Sequence, residues 1–308
     1  MGTPELAAHI LERMMAQSDA GFRVVAVVTR PDQPRGRGLS FYPSEVAQVA
    51  TRFSIPVLKP AKIRTPEFES ELKSYEPDLL VIAAYGRILP AAILAVPKIM
   101  PINVHTSLLP RHRGASPIES AILAGDTETG VTIMRVTEQM DAGGVLLQRA
   151  IAIDPADTQG TLKEKLAELG AATLIEAIAM IAAGTIRETP QDESRVTYCK
   201  PIEKSDAVID WRADAAAIER MTRAYDPWPV ARTSIGGEDL MVWRARVSEI
   251  AAAQAEPGCI VGLKPNPAVR CGNGILELLE VQAAGRKRMS AGDFVRGKRL
   301  AIGDKLGG

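Results

Sequence analysis

The chain has 308 residues, 37 basic and 37 acidic side chains, and 46% hydrophobic residues. That length and apolar content suit a globular protein of two domains with sizeable cores, and the zero net charge excludes a dedicated nucleic-acid-coating protein. With no run of 18 apolar residues and a start, Met1-Gly2-Thr3-Pro4-Glu5, that lacks the basic and apolar regions of a signal peptide, the expected location is the cytoplasm. The three cysteines, Cys199, Cys259 and Cys271, are odd in number and widely spaced. They form neither a metal-type Cys-x-x-Cys pattern nor a disulfide framework and read as small core or surface residues.

From residue 2 to about 184, short apolar runs alternate with helix-length amphipathic ones, the signature of an α/β domain with a parallel sheet. The pattern predicts strands over residues 23–29, 79–84, 102–105 and 132–136, and helices over 4–17, 44–53, 66–74, 117–123 and 161–183. Leu79-Leu80-Val81-Ile82-Ala83 has no polar alternation, as expected of a central strand buried on both faces. Thr65 followed by Pro66 fits an N-cap and first-position proline, and Thr161 with Glu164 fits a capping box. Residues 185–204 lose the helical period and read as a linker between a first domain at 1–184 and a second at 205–308. In that second domain a helix over 213–224 precedes short strand-like runs at 241–250, 258–263, 268–271 and 274–282. Their spacing between glycines, prolines and asparagines suggests a small barrel or sandwich.

The chemistry concentrates in Asn103-Val104-His105, which runs into Ser107-Leu108-Leu109-Pro110 and is followed 36 residues after His105 by Asp141 in Gln-Met-Asp-Ala-Gly-Gly. Side chains one residue apart on a strand point to opposite sides, so Asn103 and His105 share a face. An amide that donates to a developing oxyanion, an imidazole that holds a proton and a carboxylate that orients the imidazole form an acyl-transfer set. Two prolines and a glycine make the following tract a long irregular turn, and such turns after parallel strands are where α/β proteins keep their sites. A second feature is basic: Arg286-Lys287-Arg288, Arg296, Lys298 and Arg299 place six cations within fourteen residues against the single acid Asp293. Such a cluster suits a phosphate backbone as well as an ordinary solvated face.

Several segments, in order, resemble the methionyl-tRNA formyltransferases: Gly2–Glu5, residues 30–38 (Arg-Pro-Asp-Gln-Pro-Arg-Gly-Arg-Gly), 84–90 (Ala-Tyr-Gly-Arg-Ile-Leu-Pro), 103–117, Asp141-Ala142-Gly143 and Tyr225-Asp226-Pro227-Trp228-Pro229. The resemblance covers essentially the whole chain. It implies a Rossmann-like parallel-sheet formyltransferase domain followed by a small, OB-like C-terminal β-barrel. It also implies transfer of a formyl group from 10-formyltetrahydrofolate to the amino group of initiator methionyl-tRNA by a monomer, with no metal and no membrane. Asn103 would donate to the oxyanion, His105 would stabilise it and assist proton transfer, and Asp141 would hold the imidazole's charge and tautomer. By the same resemblance Ser107, Leu108, Leu109 and Pro110, with backbone around Arg87, Ile88 and Leu89, receive the folate. Arg37, with Arg35 beside it, and Arg286, Lys287 and Arg288 contact the tRNA. The Asn, His and Asp set is shared with sugar-nucleotide and glycinamide ribonucleotide formyltransferases, so it specifies the donor more than the acceptor. An inactive folate- or RNA-binding product is the alternative from a different class. The chain departs from the family pattern twice: Leu39-Ser40 stand where some members carry two lysines, and no apolar strand precedes Met1-Gly2, so the first strand of the sheet is expected to be missing.

Overall fold

The structure is a computed structural model that describes residues 1–17, 21–35, 40–249 and 254–307. Along the chain come α1 (Glu5–Ala16), β1 (Val27–Val28), β2 (Gln33–Arg35), β3 (Ser40–Tyr42), α2 (Glu45–Arg52), β4 (Val57–Leu58), α3 (Pro66–Ser74) and β5 (Leu79–Ile82). They are followed by α4 (Ala91–Leu94), β6 (Met100–His105), β7 (Arg113–Gly114), α5 (Pro117–Ala124), β8 (Glu128–Arg135), β9 (Val145–Ala152), α6 (Gln159–Ala182) and β10 (Tyr198–Cys199). The remaining elements are α7 (Ala215–Ala224), β11 (Ala231–Ile235), β12 (Glu238–Val247), β13 (Ile260–Gly262), β14 (Ala268–Arg270), β15 (Ile275–Ala283), β16 (Met289–Ser290) and α8 (Ala291–Lys298). Two compact units result: Met1–Pro117, Glu128–Ala152 and Lys163–Lys200 form one, and Ile118–Thr127, Ile153–Leu162 and Pro201–Gly308 the other.

Local chemistry sets the helix starts of the first unit. The Thr65 hydroxyl accepts from the Phe68 amide at 3.3 Å, Pro66 sits where no amide is needed, and Glu67 and Lys73 complement the two ends of α3. Phe68 and Leu72, one turn apart, are its buried face. Ser44 caps α2 through the Ala47 amide at 3.1 Å and is itself fixed by the buried Thr29 hydroxyl at 2.7 Å. The expected capping box at Thr161 is not how α6 begins. The helix starts at Gln159, and the Thr158 hydroxyl accepts from the Thr161 amide at 3.3 Å, because Thr158 stands in the N-cap place three residues earlier.

β5 pairs in parallel with β6, β6 pairs antiparallel with β8, and β8 antiparallel with β9. The sheet is therefore mixed where a parallel one was expected. The run Val131–Met134 is buried on both faces, like a parallel strand, and such a run carries no sign of its direction. Ile102 and Ile133 are wholly buried, and each contributes about 1.5–3 kcal/mol by leaving water. On the other side of β5 the sheet is parted. Of the strand expected over 23–29, only Val27–Val28 is paired, with β4. Among the described residues only Met1 and Gly2 stand between β1 and β5: Gly2 donates to the Val28 carbonyl at 3.0 Å, and Ala83 donates to the Met1 carbonyl at 2.9 Å. Beside them lies a cavity of about 710 Å³ walled by Val24, Val25, Leu79, Val81, Ile178 and Ile181.

In the second unit the strands run in the order β11-β12-β15-β14-β13, all antiparallel, with β16 on β15. The tail closes this sheet: Leu306 bridges Ile235 of β11, and Lys305 bridges Cys259 just before β13. Leu306 donates to the Gly258 carbonyl at 2.8 Å and Gly307 to the Ser234 carbonyl at 2.9 Å, so both edges are satisfied. Inside lie Trp211, Ile218, Leu240, Val242, Leu276 and Phe294, and the Trp211 indole donates to the Thr233 hydroxyl at 2.9 Å.

Candidate active site

Asn103 and His105 end β6, where Ile82 pairs with Asn103 on one side and Met134 with Asn103 and Thr132 with His105 on the other. Alternation sends both polar side chains one way and leaves Ile102 and Val104 to the core on the opposite face. The Asn103 carboxamide is half-buried and has no hydrogen-bond partner among the described residues, so its N–H groups are available to a ligand.

His105 is 5% exposed, and its Nε2 lies 2.9 Å from the His112 backbone carbonyl. A carbonyl only accepts, so Nε2 carries the proton and Nδ1 presents its lone pair. Nδ1 faces the Asp141 carboxylate, Nδ1 to Oδ2 being 3.7 Å. Burial pushes the imidazole pKa below its usual 6.5, against the upward pull of Asp141 and of the His112 carbonyl, so the ring is neutral at neutral pH. Asp141 itself adopts a left-handed backbone, φ 50°, and its Oδ2 accepts from the Gly114 amide at 2.9 Å. His112 is also left-handed, φ 59°, and the Thr197 hydroxyl accepts from its amide at 2.8 Å.

The turn after β6 is held from inside. The Ser107 hydroxyl donates to the Arg111 carbonyl at 2.6 Å, Thr132 donates to the Ser107 carbonyl at 2.6 Å, and Leu109 donates to the Thr132 hydroxyl at 3.1 Å. Ser107 is wholly buried and shapes the turn, Leu109 is 5% exposed, and Leu108 and Pro110 are half-buried. Arg87 donates to the Pro60 and Ala61 carbonyls, at 3.1 and 3.2 Å. Its neighbours diverge: Leu89 packs into the core with Leu58 and Ile93, whereas Ile88 is 71% exposed. Ile88 and Leu89 line a cavity of about 520 Å³ with Ile63, Arg64 and Glu138, and the Ser107–Pro110 turn is not among its walls.

Arg37 and the side chain of Arg35 lie outside the described residues; Arg35 closes β2, which pairs antiparallel with β3. Arg286, Lys287 and Arg288 are exposed between β15 and β16. Arg288 is engaged: its guanidinium lies 3.9 Å from the Trp243 ring centroid, 3.2 Å from Glu280 and 3.7 Å from Asp226. Arg296 pairs with Asp293 and Lys298 with Glu238, which leaves Arg286, Lys287 and Arg299 without an ion pair among the described residues. Sequence reasoning passed over the His112 carbonyl, the Gly114 amide and Gln191, which touches the Asp141 turn. Backbone groups carry no residue signature, and Gln191 lies in the segment expected as a linker. Among the described residues no cluster of three or more His, Cys, Asp or Glu side chains can hold a metal ion, and no helix is long and apolar enough to cross a membrane.

A neutral imidazole held between a carboxylate and a carbonyl, beside an unengaged amide at the end of an internal strand, defines an α/β enzyme of acyl-group transfer. Sequence profiles agree: that described as "Formyl transferase" matches residues 1–178, and that described as "Formyl transferase, C-terminal domain" matches residues 201–299. The chain belongs to the formyl transferase family. A methionyl-tRNA formyltransferase of Methylococcus capsulatus (strain Bath) is 47% identical to it over 306 residues, 99% of this chain and 98% of the relative. A methionyl-tRNA formyltransferase of Roseiflexus sp. (strain RS-1) is 45% identical over 307 residues, 100% of this chain and 94% of the relative. Among solved structures, WlaRD, a sugar 3N-formyl transferase seen with dTDP and 5-N-formyl-THF, superposes with a TM-score of 0.66 at 15% identity over 93% of this chain and 97% of that one. HypX from Aquifex aeolicus, in complex with tetrahydrofolic acid, gives 0.58 at 19% identity, over 83% of this chain and 45% of that one. At such identities the likeness is one of fold.

Proposed function

We propose that the protein transfers the formyl group of 10-formyltetrahydrofolate to the α-amino group of methionine on initiator tRNA, the step that prepares it for translation initiation. The observation that carries the chemistry is the His105 ring, its Nε2 proton committed to the His112 carbonyl and its Nδ1 turned to Asp141. The acceptor is supported by the full-length identity to relatives that bear the name methionyl-tRNA formyltransferase.

The amine attacks the formyl carbon, the new C–N bond forms and the formyl oxygen takes the charge. Asn103 donates to that oxygen. The proton leaving the attacking nitrogen passes to Nδ1 of His105, where Asp141 stabilises the cation, and returns to the folate nitrogen as its bond to the formyl carbon breaks. The products are formyl-methionyl-tRNA and tetrahydrofolate. Leu108 and Leu109 give the pterin an apolar wall, Ser107 and Pro110 shape the turn beneath it, and backbone at Arg87, Ile88 and Leu89 meets the ring edge. Residues 1–184 carry this chemistry, 185–204 connect, and 205–308 bind tRNA, Arg286, Lys287 and Arg288 meeting the phosphate backbone along with Arg35 and Arg37 of the first domain. The protein works as a cytoplasmic monomer, which light scattering of the purified chain checks.

Formyl transfer from the labelled folate is measured to charged initiator tRNA, to a nucleotide amino sugar and to glycinamide ribonucleotide. Turnover with the charged tRNA alone is expected; turnover confined to either small amine sinks the reading of the acceptor.

A further inference from the structure

Arg113 is wholly buried, and its guanidinium donates to the side-chain oxygen of Gln191 from Nε at 3.0 Å and from Nη2 at 2.8 Å. It also donates to Glu193 at 2.7 and 3.3 Å. An amide whose oxygen is claimed by a guanidinium has only one orientation left, since a flip would set its NH₂ against the cation. The Gln191 NH₂ therefore points the other way and donates to the Asp141 carbonyl and the Gly143 carbonyl, both at 2.8 Å. The residue it caps needs holding. Asp141 is a non-glycine at φ 50°, a left-handed conformation that L side chains adopt only where their surroundings impose it. Gly143 leaves the turn no slack, because a Cβ there would stand 1.9 Å from the Arg135 carbonyl.

We propose that Gln191 is a positioning residue of the transfer reaction: oriented by Arg113, it clamps the turn that aims the Asp141 carboxylate at His105. The segment that follows is tied to the same place, since Tyr198 and Cys199 pair in parallel with Arg113 and Gly114, and Gly114 supplies the amide that holds the Asp141 Oδ2. The crossing segment therefore completes the site from behind. The proposal rests on the role given to Asp141 above.

Gln191→Glu tests it, because a carboxylate keeps the partner Arg113 needs and removes both donors from the turn. Expected are a ten- to hundredfold loss in kcat, KM values for folate and tRNA within threefold, and an acid limb of kcat/KM displaced to lower pH as the His105 ring loses its aligned carboxylate. Loss of packing alone would not move that limb. Glu193→Gln, which leaves Gln191 in place, is the control and should stay within threefold; an equal loss there shows that the segment acts by packing and overturns the clamp. In an Asp141→Asn background Gln191→Glu should add less than twofold, because both act through one carboxylate. A kcat for Gln191→Glu within threefold of the unsubstituted protein, with Asp141→Asn silenced, overturns the clamp while sparing Asp141. Full activity of Asp141→Asn itself overturns the role of that carboxylate, and the clamp falls with it. Should Gln191→Glu fold poorly, hydrogen exchange of the Ala142 and Gly143 amides in Gln191→Ala gives the second reading: faster exchange confined to this turn is expected, and unchanged exchange overturns the proposal.

Discussion

The proton on Nε2 of His105 is committed to the backbone carbonyl of His112, 2.9 Å away, and this decides which nitrogen does chemistry. Nδ1 is left unprotonated toward the Asp141 carboxylate at 3.7 Å. His105→Asn removes the base and keeps a side chain of similar breadth in a buried place. Since general acid–base catalysis contributes about 10²–10⁴-fold, kcat should fall by that factor with folate binding retained. Steady-state kinetics with charged tRNA, alongside folate titration by fluorescence, checks this; a kcat within tenfold removes His105 from proton transfer.

The pH dependence follows from the direction of the His105 shift. Burial holds the folded imidazole below 6.5, so the neutral, active ring persists to lower pH than a free histidine would allow. The acid limb of kcat/KM should therefore fall below pH 6.5. For stability the sign is the same. The unfolded imidazole takes up its proton near 6.5 and the folded one only at its lower pKa, so the full contribution is present above 6.5 and declines as pH falls from there toward the folded value. Denaturant midpoints should rise as pH climbs from 5 to 7, and a flat profile there contradicts the burial of His105.

How much of this was legible in the sequence depends on what carries each feature. Asn103 and His105 share a face by strand alternation, a local rule, and Asp141 stood out as an acid in a glycine-rich turn; the structure brings Asp141 and His105 together. The helix starts at Thr65 and Ser44 were local too. What could not be read was long-range: that β8 runs antiparallel to β6, because a strand buried on both faces has no directional mark, and that β9 follows it as a hairpin partner. Gln191 matters through two backbone carbonyls fifty and forty-eight positions earlier, and carbonyls are the same in every residue. The strand expected over 23–29 shrank to Val27–Val28 because an extended segment becomes a strand only where a neighbour accepts its hydrogen bonds.

Asn103→Ala separates chemistry from folding. The carboxamide has no partner among the described residues, so its removal leaves no buried group unsatisfied, and thermal stability should change by less than about 1 kcal/mol. Loss of an oxyanion donor costs about 10²–10³ in rate, and that is the expected fall in kcat. Activity within about threefold of the unsubstituted protein removes Asn103 from the oxyanion site, and a large loss of stability shows it to be a structural residue.

Gly114→Ala should fail on two counts at once. Gly114 sits at φ 124°, and a Cβ there would lie 2.1 Å from the Cys199 carbonyl oxygen, against backbone that cannot swing aside. Relief requires β7 and β10 to part, which breaks the pairing of Arg113 with Tyr198 and moves the amide that holds the Asp141 Oδ2 at 2.9 Å. Backbone strain of this kind costs on the order of 1–3 kcal/mol, so the melting temperature should drop by several degrees. Activity at a temperature where the variant remains folded should fall at least tenfold, because the carboxylate loses its aim at His105. Wild-type kcat in a destabilised but folded Gly114→Ala protein would show that the Gly114 amide does not set the position of Asp141, and the tie between β10 and the reaction would be lost with it.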